Sequence, residues 1–320
     1  MNRLLKSASC LACLLLPLAL QANSVATGHD SSKTAVTKQD TQSIPRIATV
    51  DWTIAETLLA LGVTPLAMGD VESYRAWVGE PKLPAEVVDI GLRMQPNREL
   101  LAELKPDLIL ISPLMASLEP TLSRIAPVQS IALYEPDADL WQRLHEATLT
   151  IAALVNRTAE AERQLAALER DLAQMKEQLP TDLPPLLLVQ FIDERHVRVF
   201  GHHSLFEAVM NRLGLRNAWL GETNAWGFSV VSLEQFLALP EARLVVVDPI
   251  PVGVSERLQE PGLWQHLPLV KQGKVLHLPA VWSFGGLLAA RRFADLLSDA
   301  LQEELPSEPA TQVTAKGAAQ

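Results

Sequence analysis

The chain has 320 residues, of which 48% are hydrophobic and 20% are charged, and its formal net charge at pH 7 is −10. This length favours two domains, and the hydrophobic fraction excludes intrinsic disorder and fibrous repeats as the class of the whole chain. The acidic balance argues against a protein whose main partner is nucleic acid.

Residues 1–22 have the features of a secretory signal peptide. A short basic start precedes an apolar run from Ala8 to Leu20, which is too short to span a bilayer. Both cysteines, Cys10 and Cys13, lie inside this run, so we expect a mature chain without disulfides. We expect no lipid anchor either, because the apolar run continues past Cys13. The prediction is an exported protein that is cleaved near Ala22.

The next region, residues 23–44, is rich in Ser, Thr, Lys and Gln and is expected to be a disordered tether, as is the tail at residues 306–320. From residue 45 to residue 137, short apolar runs alternate with amphipathic stretches. The runs at residues 47–50 and 107–111 are continuous enough to be strands that are buried on both faces. This pattern predicts an N-terminal α/β lobe with a parallel sheet.

A different pattern begins in the middle of the chain, in residues 138–180. An apolar residue recurs there every three or four positions, as on one face of a helix: Leu165, Leu168, Leu172, Met175 and Leu179. We interpret residues 158–179 as a long helix that connects two lobes. A surface helix of one domain and a short coiled coil are the alternatives.

The α/β alternation resumes in residues 181–305, which we predict to be a C-terminal α/β lobe. Apolar runs at residues 186–192 and 244–248 read as strands, and residues 205–213 and 287–301 read as amphipathic helices. The predicted fold class is therefore α/β, with two Rossmann-like lobes of mainly parallel sheets joined by one long connecting α-helix.

Several common catalytic and cofactor motifs are missing from the sequence. It contains no glycine-rich phosphate loop, dinucleotide fingerprint, Gly-x-Ser-x-Gly elbow or His-Glu-x-x-His motif. His202 and His203 are adjacent, but neighbouring side chains usually point apart, so we predict a loop-to-helix junction there and no metal site. A Ser/His/Asp triad assembled from distant positions stays open, because its members converge only in space.

Aromatic residues near strand ends give the strongest indication of a binding cleft. Seven tryptophans occur beside seven phenylalanines and two tyrosines, and four of them lie in loops or directly after predicted strands: Trp52, Trp77, Trp226 and Trp282. The ends of parallel strands form the crevice of an open α/β sheet. Arg93 follows a predicted strand and could offer planar hydrogen-bond donors to an oxygen-rich ligand. The alternatives are core packing for each tryptophan and a surface ion pair for Arg93.

A family resemblance extends from Arg46 to Leu301 and depends on the order and spacing of short segments. The main segments are Tyr74–Val78, Asp89–Arg93, Arg124–Pro127, Ser204–Phe206, Gly221–Asn224 and Pro279–Trp282. Together they resemble the periplasmic binding proteins for ferric hydroxamate siderophores. That family is a helix-linked branch of the solute-binding proteins that serve ABC importers.

The resemblance implies a set of ligand contacts. Arg93 is expected to contact the hydroxamate oxygens, and Met115 stands where the family has a tyrosine as its second hydroxamate contact. The cleft is expected to be lined by Trp52, Trp77, Trp226, Trp282 and Tyr74. The family docks onto its importer through one surface glutamate per lobe, which implies Glu119 and Glu207. Iron comes wrapped in its siderophore, so neither a protein metal ligand nor a cofactor is expected.

The resemblance also implies what the protein does and where. We expect a periplasmic, monomeric binding protein, not an enzyme, that delivers ferric hydroxamates to an inner-membrane ABC permease. Catecholate siderophores, haem and cobalamin are alternative ligands. Haem requires an axial His or Tyr, and Tyr74 is the only tyrosine that we place near the cleft. An exported siderophore esterase is the alternative from a different functional class.

Overall fold

The computed structural model describes residues 44–135, 138–273 and 275–303. The predicted signal peptide, almost all of the predicted tether and the predicted tail lie outside these residues. Within them, no helix combines the length and the apolar character that crossing a membrane requires.

The first sheet is parallel and has five strands in the order β3-β2-β1-β6-β7. The elements of this half are β1 (Ile47–Thr49), α1 (Trp52–Ala60), β2 (Ala67–Met68), α2 (Val71–Trp77), β3 (Val88–Asp89), β4 (Gly91–Leu92), β5 (Gln95–Pro96), α3 (Arg98–Leu104), β6 (Leu108–Ile111), a 3₁₀ helix (Pro113–Leu118), α4 (Glu119–Leu122) and β7 (Val128–Ser130). In the centre, Ile109 pairs with Ala48 on one side and with Val128 on the other. The parallel arrangement confirms the prediction made from the apolar runs.

The second sheet also has five strands, in the order β10-β9-β8-β11-β12. Its elements are β8 (Leu186–Phe191), β9 (His196–Phe200), α7 (Leu205–Leu213), β10 (Phe228–Ser232), a 3₁₀ helix (Leu233–Ala238), β11 (Arg243–Val247), α8 (Val254–Gln259), α9 (Leu263–His266), α10 (Pro268–Lys271), β12 (Leu276–Leu278) and α11 (Leu287–Glu303). Strands β8, β11 and β12 are parallel, whereas β9 runs antiparallel to both β8 and β10. The short turn between β8 and β9 enforces this reversal, and Asp193 stabilises the turn by accepting from the backbone N–H groups of Arg195 and His196.

The stretch between the sheets contains two helices, α5 (Leu140–Leu154) and α6 (Thr158–Gln178). Asp139 caps the start of α5 by accepting from the N–H of Gln142. The predicted apolar face of α6 is buried at Leu165, Leu168 and Leu172, and the helix packs against α5, α7 and α11. The long helix is therefore part of the shared core and is preceded by a second helix that the sequence analysis did not separate.

Direct hydrogen bonds also join the two halves. Thr53 Oγ1, on α1, donates to the carbonyl of Phe284 at 2.7 Å, and Trp282 Nε1 donates to Thr53 Oγ1 at 3.0 Å. One turn further along α1, Glu56 Oε1 accepts from the N–H of Gly286. The segment 282–286, which follows β12 in the second half, is thus bonded along its length to the first helix of the first half.

Candidate functional site

A cavity of about 350 Å³ lies where the two halves meet. Strands β1, β6 and β7 of the parallel sheet end at it, and the 282–286 segment, β9 and the start of β10 close its other side. Ligand sites in open α/β sheets form at this edge, because the loops after parallel strands converge there. The cavity therefore lies where the sequence analysis expected a cleft.

Arg93 is the best-anchored cation at the cavity. It occupies the turn between β4 and β5, where Nε donates to the carbonyl of Val50 at 3.0 Å and Nη2 lies 3.5 Å from Asp51 Oδ2. Its guanidinium carbon lies 4.4 Å from the centre of the Trp52 ring. Burial lowers the pKa of Arg93 and the Asp51 carboxylate opposes that shift, so the group stays charged. The result is a planar cation held in one orientation.

Asp51 connects this arginine to the sheet. Its Oδ1 accepts from the N–H groups of Thr53 and Ile54 and so caps α1, whereas its Oδ2 accepts from Ser112 Oγ at 2.7 Å. The carboxylate also balances part of the Arg93 charge. Sequence reasoning missed this role, because an aspartate before a helix indicates a cap and nothing more.

A continuous aromatic wall runs from one half to the other. The ring centroids of neighbouring members lie 5.0 Å apart for Trp52 and Trp282, 5.2 Å for Trp282 and Phe284, 5.6 Å for Phe284 and Trp226, and 5.4 Å for Trp226 and Tyr134. Offset and edge-on contacts at these distances are favourable. Three of the four predicted tryptophans therefore lie together, and Phe284 and Tyr134 complete the wall. Trp52 itself is 4% exposed and does not line the cavity, so we correct its predicted contact: it supports Trp282 and Arg93 from behind.

Trp226 owes its position to the glycine that follows it. Gly227 has φ +76°, and a Cβ atom on it would overlap with the backbone nitrogen of Ser204. Only glycine fits such a close approach in the left-handed region. The 224–227 turn is closed further by Asn224, whose Oδ1 accepts from the N–H of Trp226.

The second half contributes another cation, Arg198, from the middle of β9. Its guanidinium carbon lies 5.6 Å from the ring centre of Phe228 and 5.9 Å from that of Trp77, and Nη1 donates to Gln190 Oε1 at 3.4 Å. Within the described ranges, no carboxylate forms an ion pair with Arg198. Trp77 does not line the cavity, but it contacts Arg198, which does.

Two further predicted contacts, Tyr74 and Met115, also lie in the core. Tyr74 is 0% exposed, packs edge-on to Trp52 and donates its hydroxyl to the carbonyl of Pro81, so it supports the wall from behind. Met115 is 1% exposed, whereas Leu114 is 53% exposed and lines the cavity. The two side chains diverge because successive residues of a 3₁₀ helix point about 120° apart. We therefore correct both contacts and place Leu114 at the cavity.

Tyr134 also lies near the cleft, where the sequence analysis placed only Tyr74. It follows β7, lines the cavity and donates its hydroxyl to the carbonyl of Gly285 at 3.1 Å. Burial raises the pKa of this phenol well above its usual value, so Tyr134 is neutral. Its hydroxyl proton already forms the hydrogen bond to Gly285, which joins the two halves.

Glu56 is a fully buried carboxyl group directly behind the wall. Its Oε1 accepts from the N–H of Gly286, and Oε2 has no hydrogen-bond partner among the described residues. Burial raises its pKa from 4.5 to about 8, and the charge of Asp51 adds to that shift. At neutral pH this group is therefore mostly an uncharged carboxylic acid.

The two predicted docking glutamates differ in environment. Glu119 is exposed at the start of α4. The side chain of Glu207 is only 18% exposed and pairs with His202 at 3.6 Å. The rings of His202 and His203 pack together 4.0 Å apart. Across the described part of the chain, no group of three or more His, Cys, Asp or Glu side chains could hold a metal ion.

Two α/β halves that share a cleft lined by aromatic rings and arginines define a class of solute-binding proteins. The chain belongs to the periplasmic binding protein family, whose sequence profile matches residues 47–281.

Individual relatives narrow this class. The chain is 37% identical to the iron(3+)-hydroxamate-binding protein FhuD of Escherichia coli (strain K12), over 80% of this chain and 86% of that protein. It is 29% identical to the putative ABC transporter substrate-binding lipoprotein YhfQ of Bacillus subtilis (strain 168), over 88% of this chain and 89% of that protein. The resemblance stated from sequence is thereby confirmed.

A solved structure gives the same picture. The siderophore-binding protein FhuD of Vibrio cholerae, with Fe³⁺–Desferal bound, superimposes with a TM-score of 0.77. The two sequences are 29% identical, and the match covers 81% of this chain and 98% of that one. The predicted fold class is confirmed.

Proposed function

We propose that this protein is a monomeric periplasmic binding protein that captures ferric hydroxamate siderophores and delivers them to an inner-membrane ABC permease. The observation that carries the proposal is Arg93, held by Val50 and Asp51 and stacked on Trp52 at the floor of an aromatic cleft. Two relatives support the same ligand class: one is described as an iron(3+)-hydroxamate-binding protein, and the other has Fe³⁺–Desferal bound.

The chemistry of the ligand fits these side chains. Three hydroxamates saturate ferric iron with oxygen, so the cargo brings its own metal ligands and needs none from the protein. Its surface offers partly negative oxygens and an apolar backbone. A fixed guanidinium matches the oxygens, and the flat faces of Trp226 and Trp282 match the backbone.

The test is a titration of the purified mature protein with ferrichrome, ferrioxamine and ferric aerobactin, followed by tryptophan fluorescence. We expect saturable quenching by at least one of them, since Trp226 and Trp282 line the cavity. Haem, cobalamin and a ferric catecholate serve as the comparison. Saturation by one of these alone would overturn the proposed ligand class.

The alternative of an esterase is tested with the same samples. We expect mass spectrometry to recover each siderophore intact after prolonged incubation with excess protein. Hydrolysis that depends on the folded protein would replace the binding function with catalysis.

Arg198 predicts a preference based on ligand charge. Asp51 offsets Arg93, whereas no described carboxylate pairs with Arg198, so the cavity carries an excess of one positive charge. We expect Arg198→Gln to weaken the binding of ferric aerobactin, which is anionic, by about tenfold. The affinity for ferrioxamine B, which is cationic, should stay unchanged or increase slightly. The matched control is Arg195→Gln, an exposed arginine of the same hairpin that pairs with Glu234. Equal losses for both ligands would contradict the preference.

For importer docking we propose Glu119 together with Glu256 in place of Glu207. Glu119 follows β6 on α4, and Glu256 occupies the corresponding place after β11, on α8. Both are exposed, whereas Glu207 is held by His202. One exposed carboxylate on each half suits a permease that presents a cation to each half.

This docking arrangement predicts the effect of charge reversal. We expect Glu119→Arg with Glu256→Arg to abolish siderophore uptake in cells, while the purified variant binds siderophore normally. Glu207→Gln is the comparison variant and is expected to transport well. Normal transport by the double variant would exclude both Glu119 and Glu256, and loss of transport in Glu207→Gln alone would restore Glu207 as the docking residue of the second half.

A further inference from the structure

Part of the cavity is lined by residues of α1 and α5, and we call this part the inner chamber. Its walls are Ile54 and Thr57 from α1 and Leu144, Ala147, Thr148 and Ile151 from α5. The four α5 residues follow helical spacing and so share one face. All six are buried.

The inner chamber is almost entirely apolar. Its two hydroxyl groups already donate within their own helices, Thr57 Oγ1 to the carbonyl of Thr53 and Thr148 Oγ1 to the carbonyl of Leu144, each at 2.7 Å. The other four side chains, those of Ile54, Leu144, Ala147 and Ile151, contain only carbon and hydrogen. A cavity with this lining is a poor site for water, which needs several polar partners, and a good site for a hydrocarbon.

Small side chains keep the chamber open. Three of its six lining residues, Ala147, Thr57 and Thr148, are smaller than Leu, Ile or Phe, and Gly286 adjoins Thr57 without a side chain. Unfilled apolar space in a core lowers stability in proportion to its volume. An opening of this kind that connects to a ligand cleft is therefore best explained by an occupant.

The polarity of the whole cavity identifies that occupant. Arg93, Asp51 and Ser112 line one part of the cavity, whereas the part lined by α1 and α5 offers mainly carbon. A ligand that fills both parts must join a polar head to an apolar arm. Resting on the proposed function, we propose that the inner chamber binds an unbranched hydrocarbon arm of the ferric complex. The preferred substrates are then hydroxamate siderophores with a fatty-acyl or polymethylene side arm.

A matched pair of ligands tests the proposal. The probes are ferrioxamine B and the same ferric complex with an octanoyl group on its terminal amine, titrated by tryptophan fluorescence. We expect the acylated complex to bind at least about tenfold more tightly, since burying only a few methylenes suffices for that factor. Equal affinities would overturn the proposal. An acetylated complex controls for the lost amine charge.

Variants with a larger side chain in the inner chamber test whether the octanoyl group binds there. Ala147→Leu is expected to remove the gain from the octanoyl group and to leave the affinity for the acetylated complex within twofold. Ala153→Leu adds the same atoms to an exposed position of α5 and is the matched control. Thr148→Leu is a second filling variant, used if Ala147→Leu does not fold. If a folded Ala147→Leu or Thr148→Leu protein still binds the octanoyl complex more tightly than the acetylated complex, the arm binds elsewhere and the proposal is overturned.

A probe without iron separates this proposal from the proposed function. N-phenyl-1-naphthylamine is uncharged and fluoresces in apolar surroundings. We expect it to bind the wild type and the Ala153→Leu variant but not Ala147→Leu. If it binds in this way while no hydroxamate complex does, the chamber stands and the siderophore function fails. If hydroxamates bind while the probe and the octanoyl group have no effect, the siderophore function stands and the chamber proposal fails.

Discussion

Arg93→Ala is expected to weaken the binding of ferric hydroxamates by about 10- to 100-fold, which is the usual worth of a charge-assisted hydrogen bond in a partly buried site. The loss has two sources. The ligand oxygens lose their fixed donor, and the Asp51 carboxylate, bonded otherwise to Ser112 and to the start of α1, loses its nearby cation. Fluorescence titration measures the affinity.

Two further variants make this result specific. Arg98→Ala removes an exposed arginine from α3, close in the sequence, and is expected to bind as the wild type does. Arg93→Lys keeps the charge but loses the planar fork and is expected to recover only part of the affinity. Wild-type affinity in a folded Arg93→Ala protein would remove this residue from the site and, with it, the observation that carries the proposed function.

Glu56→Gln is expected to change how stability depends on pH. The folded protein raises the pKa of Glu56 from 4.5 to about 8, so the folded state favours the protonated form more strongly than the unfolded chain does. Below pH 4.5 the carboxyl group is protonated in both states, so its burial does not lower the free energy of unfolding by ionisation. As pH rises from 4.5 to about 8, the unfolded chain ionises first, and the free energy of unfolding falls. A shift of one pKa unit corresponds to roughly 1.4 kcal/mol. Between pH 5 and pH 8, the free energy of unfolding of Glu56→Gln should therefore rise by on the order of 3 kcal/mol relative to that of the wild type.

Thermal or denaturant unfolding at several pH values measures this difference. The comparison of variant with wild type cancels the titration of groups that do not interact with Glu56. Glu103→Gln, at an exposed position of α3, is the control and should keep the wild-type pH profile. Parallel profiles for Glu56→Gln and the wild type would mean that the buried carboxyl does not titrate in this range.

Much of the fold could be predicted because its strands are buried on both faces. The continuous apolar runs of β6, β8 and β11 are typical of strands in the middle of a sheet, and their separation by helices dictates a parallel arrangement. The antiparallel β9 was not anticipated. Its sequence alternates Val197, Arg198 and Val199, which indicates a strand but not its direction.

The site could be predicted only where position along the chain determines position in space. Trp52 and Trp282 follow strands, and parallel strands end at one edge, so their meeting was foreseeable. Arg198 was missed because it lies within an alternating strand, where an outward arginine is usually solvated. Glu56 was missed because its environment depends on Gly286, 230 residues away in the sequence.

The exchange of Met115 for Leu114 has a different origin. The sequence locates the loop after β6 correctly, but the choice between neighbours depends on where the 3₁₀ helix begins. A shift of one residue rotates each side chain by a third of a turn. Predictions at single-residue precision fail most readily in such short helices.

The bonds between α1 and the 282–286 segment couple the wall of the cleft to the contact between the two halves. Trp282 and Phe284 form the wall of the cleft, and the same residues share hydrogen bonds with Thr53 across the two halves. Any force that pulled the halves apart would therefore also separate the binding surface. Under the proposed function, release of the ligand to a permease would then require mechanical work on the protein, so a high affinity in free solution would not trap the ligand.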